Sequence, residues 1–211
     1  MNLFAFDESF FAQGYSSIAG IDEAGRGCLA GPIVAACVSF RDNVFIEGIR
    51  DSKELTPEQR ENLFEQIISN AFVGVGIIDV DIIDRINILE ATRLAMIKAY
   101  ENLGRKVELL LIDAVSLPEL KIPQKAIIKG DRKSALIASA SIIAKVTRDK
   151  IMKDYHEKYS HYGFDRHKGY ATKEHLQALK KIWSLSHSQK KLFSCKRINV
   201  ILINETPSHK G

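Results

Sequence analysis

An α/β layer structure, with a central mixed β-sheet flanked by helices, is the fold class this sequence predicts. Two observations carry it: short β-type apolar runs alternate with stretches of helical spacing, and their order reads β, β, α, β, α, β, β, α, α. A third is size. At 211 residues and 45% hydrophobic content, the chain can bury one ordinary core without disulfides or a structural metal.

Ser17 to Asp22 reads as a buried strand and Pro32 to Phe40 as a second, joined by a glycine-punctuated turn that would suit a hairpin. Thr56-Pro57-Glu58-Gln59 supplies an N-cap, a proline at the first helical position and a capping-box Gln; Leu63, Phe64, Ile67 and Ile68 follow at helical spacing. Phe72 to Ile78 is expected as a strand. Ile88 to Asn102 is expected as a helix, stopped by Gly104. Val107 to Ile112 forms a short β-type run ending at Asp113, and Ile127 with Ile128 suggests another that ends near Gly130-Asp131. Ser134 to Lys158 makes a long helix with a broad apolar face, and Thr172 to Lys181 one more. From about Ser184 the chain turns basic and polar before the apolar patch Val200 to Ile203, which reads as a loosely attached tail.

Charge is divided unevenly. Residues 1–113 hold 10 basic and 18 acidic side chains, net −8, whereas 114–211 hold 20 and 8, net +12, with all six histidines. An acidic half beside a basic half suits a polyanion held against carboxylates, and equally an ordinary solvated surface. Cys28, Cys37 and Cys195 are odd in number and far apart, which argues against a disulfide framework or a zinc site. No apolar run reaches the roughly 18 residues that span a bilayer, and the acidic N-terminus is unlike a signal peptide. A soluble, cytoplasmic protein is expected.

Four acids fall where a catalytic site would place them. Asp22 and Glu23 end the first strand, Asp113 ends the strand Glu108 to Ile112, and Asp131 follows Ile127-Ile128 ahead of a long helix. One Asp at a strand end is most often a turn or cap residue. Several strand ends that each finish in an acid, as in GIDEAG, LLLIDA and IIKGDRKS, weaken that reading. Clustered carboxylates would bind protons at neutral pH unless a cation offsets them, and hard oxygen ligands favour Mg²⁺ or Mn²⁺. The chemistry implied is metal-assisted phosphoryl transfer.

Gly25-Arg26-Gly27 with Cys28-Leu29-Ala30 formally matches a dinucleotide fingerprint, but Gly31-Pro32 and a β-type run follow where that motif needs a helix. The glycines instead suit a tight loop whose backbone approaches a ligand, or a plain glycine turn. Lys53, just before the Thr56 cap, could meet a phosphate or simply face solvent. Tyr170, among basic residues, suits stacking on a sugar or base, and a buried core tyrosine is an equal reading.

The segments IAGIDEAGRGCLAGPIVAA, DSKEL, LLLIDA, KGDRKSALIASASIIAKVTRD and YGFDRHKGYATKEH, in that order, resemble the successive motifs of ribonuclease HII, the bacterial form of type 2 ribonuclease H. The resemblance runs from about Ile18 to Leu179. It implies a ribonuclease H-like fold with a helical C-terminal extension over residues 1–183, leaving 184–211 as a basic tail. It implies an endonuclease that hydrolyses the RNA strand of RNA–DNA hybrids and incises 5′ of single ribonucleotides embedded in duplex DNA, leaving 3′-hydroxyl and 5′-phosphate ends. By the same resemblance Asp22, Glu23, Asp113 and Asp131 are the catalytic carboxylates. They would hold two Mg²⁺ or Mn²⁺ ions when substrate is bound.

Gly25, Arg26 and Gly27 match the loop that contacts the ribose 2′-hydroxyl, Lys53 the lysine near the phosphate backbone, and Tyr170 the tyrosine that packs on the following deoxyribose. A monomer is expected. A replication clamp is a further candidate partner, with no motif of this sequence assigned to it. The segment His187 to Phe193 departs from the family's usual His-Arg-x-Ser-Phe-like continuation. Ribonuclease HIII, the sister type, usually carries an extra N-terminal domain and lacks the Gly-Arg-Gly loop, and the stretch before Ser17 is expected to be too short for such a domain. A non-catalytic hybrid-binding module and a resolvase-type nuclease on the same fold are the alternatives; neither would cut in a way that depends on the 2′-hydroxyl.

Overall fold

The structure is a computed structural model that describes residues 2–41 and 44–183. The expected tail 184–211, with its Val200 to Ile203 patch, Cys195 and the His187 to Phe193 segment, lies outside the described residues.

Two mainly apolar runs, broken only by Asp22 and Glu23 in the first and Ser39 in the second, make the centre of the sheet. Strands β1 (Ile18–Ala24) and β2 (Ile33–Phe40) are buried on both faces, which is why they do not alternate in sequence. They pair antiparallel, Gly20 opposite Val38 and Ala24 opposite Val34, so the hairpin forms. Strand β3 (Ala71–Ile78) continues antiparallel on β2. Strand β4 (Leu109–Asp113) lies parallel to β1 and β5 (Gln124–Ile127) parallel to β4, giving a mixed sheet in the order β3-β2-β1-β4-β5.

Period-two alternation sorts the strands onto two cores. Ile18, Val34, Val38, Leu109 and Leu111 face helix α5 (Ala135–Lys158), flanked by α1 (Leu3–Phe11) and α2 (Pro57–Asn70). Ala19, Ile21, Ala35, Cys37, Leu110 and Ile112 face helix α4 (Ile88–Glu101), which follows the short α3 (Val80–Ile86). A smaller cluster of Leu29, Ala30, Met152, Tyr162, Phe164 and Leu179 fastens α6 (Phe164–His167) and α7 (Lys173–Trp183) to α5. The capping box at Thr56 forms as the sequence predicts, Thr56 accepting from Gln59 N–H at 3.2 Å and Gln59 accepting from Thr56 N–H at 3.0 Å.

Several boundaries differ from expectation. β1 runs two residues past Asp22, so Glu23 lies within the strand. β5 spans Gln124–Ile127, whereas Ile128 is 73% exposed; as an edge strand it has little apolar signature to read. Helices α1 and α3 were not anticipated.

Helix α1 caps the helix behind the sheet. Asp7 Oδ2 accepts the Leu136 N–H at 2.9 Å, and its Oδ1 is buried without a hydrogen-bond partner. Burial pushes the Asp7 carboxyl up to about 6 against the lowering effect of Ser134 and the α5 amides. The folded state therefore holds this proton more tightly than the unfolded chain does, and its stability falls as pH rises from about 4 to 6 and stays lower above that. Asp7→Asn keeps the acceptor and never ionises. We expect the variant to be more stable than wild type by on the order of 1–3 kcal/mol near pH 7.5 and nearly equal to it near pH 4. Thermal midpoints at the two pH values check this, and equal midpoints at the higher pH would contradict it.

Candidate active site

The parallel pairing of β1 with β4 sets Ile21 opposite Ile112, so the next residues, Asp22 and Asp113, emerge side by side at the carboxyl ends of neighbouring strands. Both share the α5 face with Ile18 and Leu111, whereas Glu23 turns to the α4 face one residue further on. Asp131 arrives from β5 on a 3₁₀ turn, Gly130–Arg132, directly before α5. That turn is anchored to the neighbouring carboxylate, because Gly130 N–H donates to Asp113 Oδ1 at 2.7 Å.

Asp22 is almost wholly buried and accepts its neighbour's amide, Glu23 N–H, at 2.7 Å. Burial first, then the charges of Glu23 and Asp113, raise its carboxyl well above the usual range, opposed by hydrogen bonds from Glu23 N–H and Ser141. Glu23 is raised by burial and by Asp113, against the pull of Arg26 Nη1 at 3.8 Å. Burial and Asp131 raise Asp113, against the Gly130 amide. These acids feel one another, so the structure brings together the four that the sequence selects.

Lys53 joins them. Its Nζ lies 3.4 Å from Asp131 Oδ2 and 3.9 Å from Asp51 Oδ1. Burial alone would lower its pKa, but the carboxylates of Asp51, Asp131 and Asp22 outweigh that and raise it. Asp51, which sequence reasoning did not single out, is buried and holds the turn: its Oδ1 accepts Lys53 N–H at 3.0 Å and its Oδ2 accepts Arg132 Nε at 3.2 Å. Ser52 Oγ meets Ser141 Oγ at 2.9 Å, tying the Lys53 turn to α5 beside Asp22.

An all-oxygen set of mutually repelling carboxylates fits a hard divalent cation, whose charge would offset the repulsion that raises them. Among the described residues no three carboxylate, imidazole or thiolate groups are placed so that they could together hold a metal ion. A Mg²⁺-like ion needs only one or two carboxylates, with water and phosphate oxygens completing its shell, and carboxylates of that number are what the site offers.

The glycine loop leads from β1 to β2 with no helix after it, so the dinucleotide reading fails in the structure as it did in the sequence. Gly25 has φ +103, and Gly27 has open space where a side chain would be, leaving the backbone free to be approached. Tyr170 stands apart from the carboxylates and beside this loop. Its carrier is bonded directly to it: Leu29 and Ala30 N–H donate to Gly169 O at 2.9 and 3.4 Å. The ring is 40% exposed and has Lys145 Nζ 5.6 Å from its centroid, so it is not a core tyrosine. Burial and Cys28, which its hydroxyl meets, raise its pKa.

Beyond Tyr170 a groove of about 540 Å³ is lined by Lys145, Lys150, Lys153, Arg166 and Lys168 of the basic half together with Arg60, and by the acids Glu61, Asp149 and Asp165, so this flank of the site is basic on balance. Arg148, wholly buried on α5, was also not anticipated. The available signal was a charged residue on the stripe Ile137, Ser141, Ala144, Arg148 and Met152 of an otherwise apolar helix face.

Residues 19–199 match the family model described as ribonuclease HII. The chain is 54% identical over 177 residues to ribonuclease HII of Acetivibrio thermocellus, covering 83% of this chain and 69% of that protein. Its fold is similar to the crystal structure of ribonuclease H2 from Pyrococcus horikoshii, with a TM-score of 0.74 at 28% identity over 89% of this chain and 98% of that one. It is similar also to the ribonuclease HII of Archaeoglobus fulgidus solved in complex with PCNA, with a TM-score of 0.73 at 30% identity over 85% and 94% of the two chains. With the carboxylates, the Tyr170 loop and all of the sheet but Ile18 inside the matched span, the chain belongs to the ribonuclease HII family of endoribonucleases, which hydrolyse RNA in hybrids.

Proposed function

We propose that this protein incises duplex DNA 5′ of a single embedded ribonucleotide, as well as cutting the RNA strand of hybrids, with Asp22, Glu23, Asp113 and Asp131 as its catalytic carboxylates. The observation that carries this reading is the β1–β4 register, which sets Asp22 beside Asp113 in a cluster whose carboxyls are raised by burial and by one another. Those four carboxylates would hold paired Mg²⁺ or Mn²⁺ ions, which would supply an activated water and offset charge at the phosphate and the leaving 3′ oxygen, so that 3′-hydroxyl and 5′-phosphate ends result.

The chain's own groups do the rest. Gly130 N–H holds one Asp113 oxygen, and Ser141 with Glu23 N–H orients Asp22. Lys53, drawn in by Asp131 and Asp51, is poised to meet a phosphate oxygen. In the Gly25-Arg26-Gly27 loop Gly25 is buried while Arg26 and Gly27 are exposed, and the open backbone at Gly27 suits an approach to the 2′-hydroxyl, the group that separates RNA from DNA. The Tyr170 ring, beside that loop and flanked by Lys145, suits packing on the sugar that follows. By analogy with the Archaeoglobus relative, a sliding clamp is a candidate partner.

A duplex with one ribonucleotide, incubated with and without EDTA, tests the reading. Cleavage at that position is expected to stop in chelator and return with Mg²⁺ or Mn²⁺, and to vanish when the ribonucleotide is replaced by a deoxyribonucleotide. Equal cleavage in chelator would overturn it. Tyr170→Ala is expected to lose roughly 10-fold or more in kcat/KM on the lone ribonucleotide, from stacking worth about 1–3 kcal/mol, and distinctly less on a long hybrid. An equal loss on both substrates would remove its junction role.

A further inference from the structure

Arg148 leads the fully buried side chains by volume, yet its guanidinium is given over to three neutral carbonyls. Nε donates to Pro32 O at 3.0 Å, Nη2 to Ala30 O at 2.9 Å, and Nη1 to Lys168 O at 2.9 Å. Pro32 and Ala30 close the glycine loop where it enters β2, and Lys168 opens the turn that carries Tyr170. The side chain thus bridges the two segments from beneath. The glycine loop is shaped around it: a β-carbon at Gly25 would lie 2.5 Å from Nε, and one at Gly31 3.2 Å from Nη2. Its Cζ is 5.8 Å from the Tyr170 ring centroid.

Burying a cation against uncharged acceptors costs free energy that an apolar side chain of similar volume would avoid, so packing alone does not account for an arginine here. What the planar fork adds is geometry, because donors in fixed directions set three carbonyls at fixed spacing. The Tyr170 side of the gap is itself rigid. His167 and His175 stack at 4.2 Å; His167 accepts Gly169 N–H at Nδ1, and His175 Nδ1 bonds Tyr170 O at 2.9 Å. With one side stiff, the arginine acts together with the Leu29 and Ala30 amides on Gly169 O to fix where the glycine loop stands relative to it.

We propose that Arg148 is a positioning residue that sets the spacing between the Gly25-Arg26-Gly27 loop and Tyr170, and thereby the selectivity for a ribonucleotide followed by DNA. This rests on the reading that the loop meets the 2′-hydroxyl and Tyr170 the next sugar. A lone ribonucleotide offers one register in which both contacts form together, whereas a long hybrid offers many placements. A change in spacing therefore penalises the lone site more.

Arg148→Lys keeps the charge and loses the fork. Its kcat/KM on a lone ribonucleotide is expected to fall roughly 10- to 100-fold, with a much smaller loss on a long hybrid. In a Tyr170→Ala background the same change should add little, since the two act through one contact. Gly169→Ala perturbs the gap from its other side, its β-carbon falling 2.4 Å from Ala30 O, and should reproduce the selectivity loss even if the lysine variant folds poorly. Equal losses on both substrates, or effects that add to Tyr170→Ala, would overturn the proposal. If wild type failed to cut at a lone ribonucleotide, the functional reading would fall instead. Hydrogen exchange at Leu29 N–H, bonded to Gly169 O, would still report the link: faster exchange in Arg148→Lys supports it, and unchanged exchange refutes it.

Discussion

Asp22→Asn and Asp113→Asn are each expected to lower turnover by roughly a thousandfold or more while leaving hybrid binding largely intact, because each removes charge worth several kcal/mol to the phosphoryl-transfer step. The same variants should be more stable than wild type when no divalent ion is added. Both carboxyls are raised above their ordinary range by burial and by neighbouring acids, so ionisation weakens the fold as pH rises through their folded-state values. A neutral isostere relieves that repulsion. Asn at position 22 can still accept Glu23 N–H, and Asn at position 113 can still accept Gly130 N–H, so the local turns should survive. Activity loss with a raised midpoint at neutral pH is the signature of a site whose charges are kept for chemistry. Steady-state cleavage, filter binding and thermal denaturation in chelator read the three quantities. Wild-type rates in either variant would defeat the site assignment, and a lowered midpoint would defeat the electrostatic account.

The acids were legible because each follows an apolar run: Asp22 and Asp113 lie at the carboxyl ends of buried strands, where turn chemistry explains them poorly, and Asp131 follows Ile127-Ile128 on a 3₁₀ turn. The strands themselves were legible because β1 up to Ile21 and β2 up to Val38 are buried on both faces and show it as continuous apolar sequence. What was not legible depends on tertiary context. Helix α1 is nine residues long, is rich in phenylalanine and gains little from intrinsic propensity. It is held by packing such as Phe4 on Phe40 at 5.6 Å, although Asn2, which accepts Phe4 N–H, was a readable cap. Helix α3 is seven residues long, and its Asp79 cap makes no side-chain bond. Within the site, Asp51 and the Ser52–Ser141 contact matter only because α5 lies across β1, a juxtaposition no local spacing encodes.

That juxtaposition is concentrated at one backbone position, which is why Gly20→Ala is expected to destabilise the protein by more than about 3 kcal/mol. A β-carbon on Gly20 would stand 2.3 Å from the carbonyl carbon of Leu136 and 2.5 Å from Ile137 N, both main-chain atoms in the first turn of α5, with Leu136 Cβ at 2.7 Å. No rotamer relieves such a contact, so the helix must retreat from the strand, and this outweighs the few tenths to ~1 kcal/mol by which Ala is favoured over Gly in regular backbone. The retreat would move Ser141 and the Asp131 turn together away from Asp22, because all three are fixed to the two elements being separated. Activity should therefore fall even in whatever fraction remains folded. Gly27→Ala is the matching control: its added carbon meets nothing within 4 Å, so its midpoint should stay near wild type whatever happens to substrate recognition. Urea midpoints and cleavage rates for the pair separate the two roles of glycine in this chain, one that lets a helix reach the strand carrying Asp22, and one that leaves backbone open to a ligand. A Gly20→Ala variant with wild-type stability and rate would mean that α5 is not seated on β1 as described, and the placement of Ser141 and the Asp131 turn beside Asp22 would lose its structural basis.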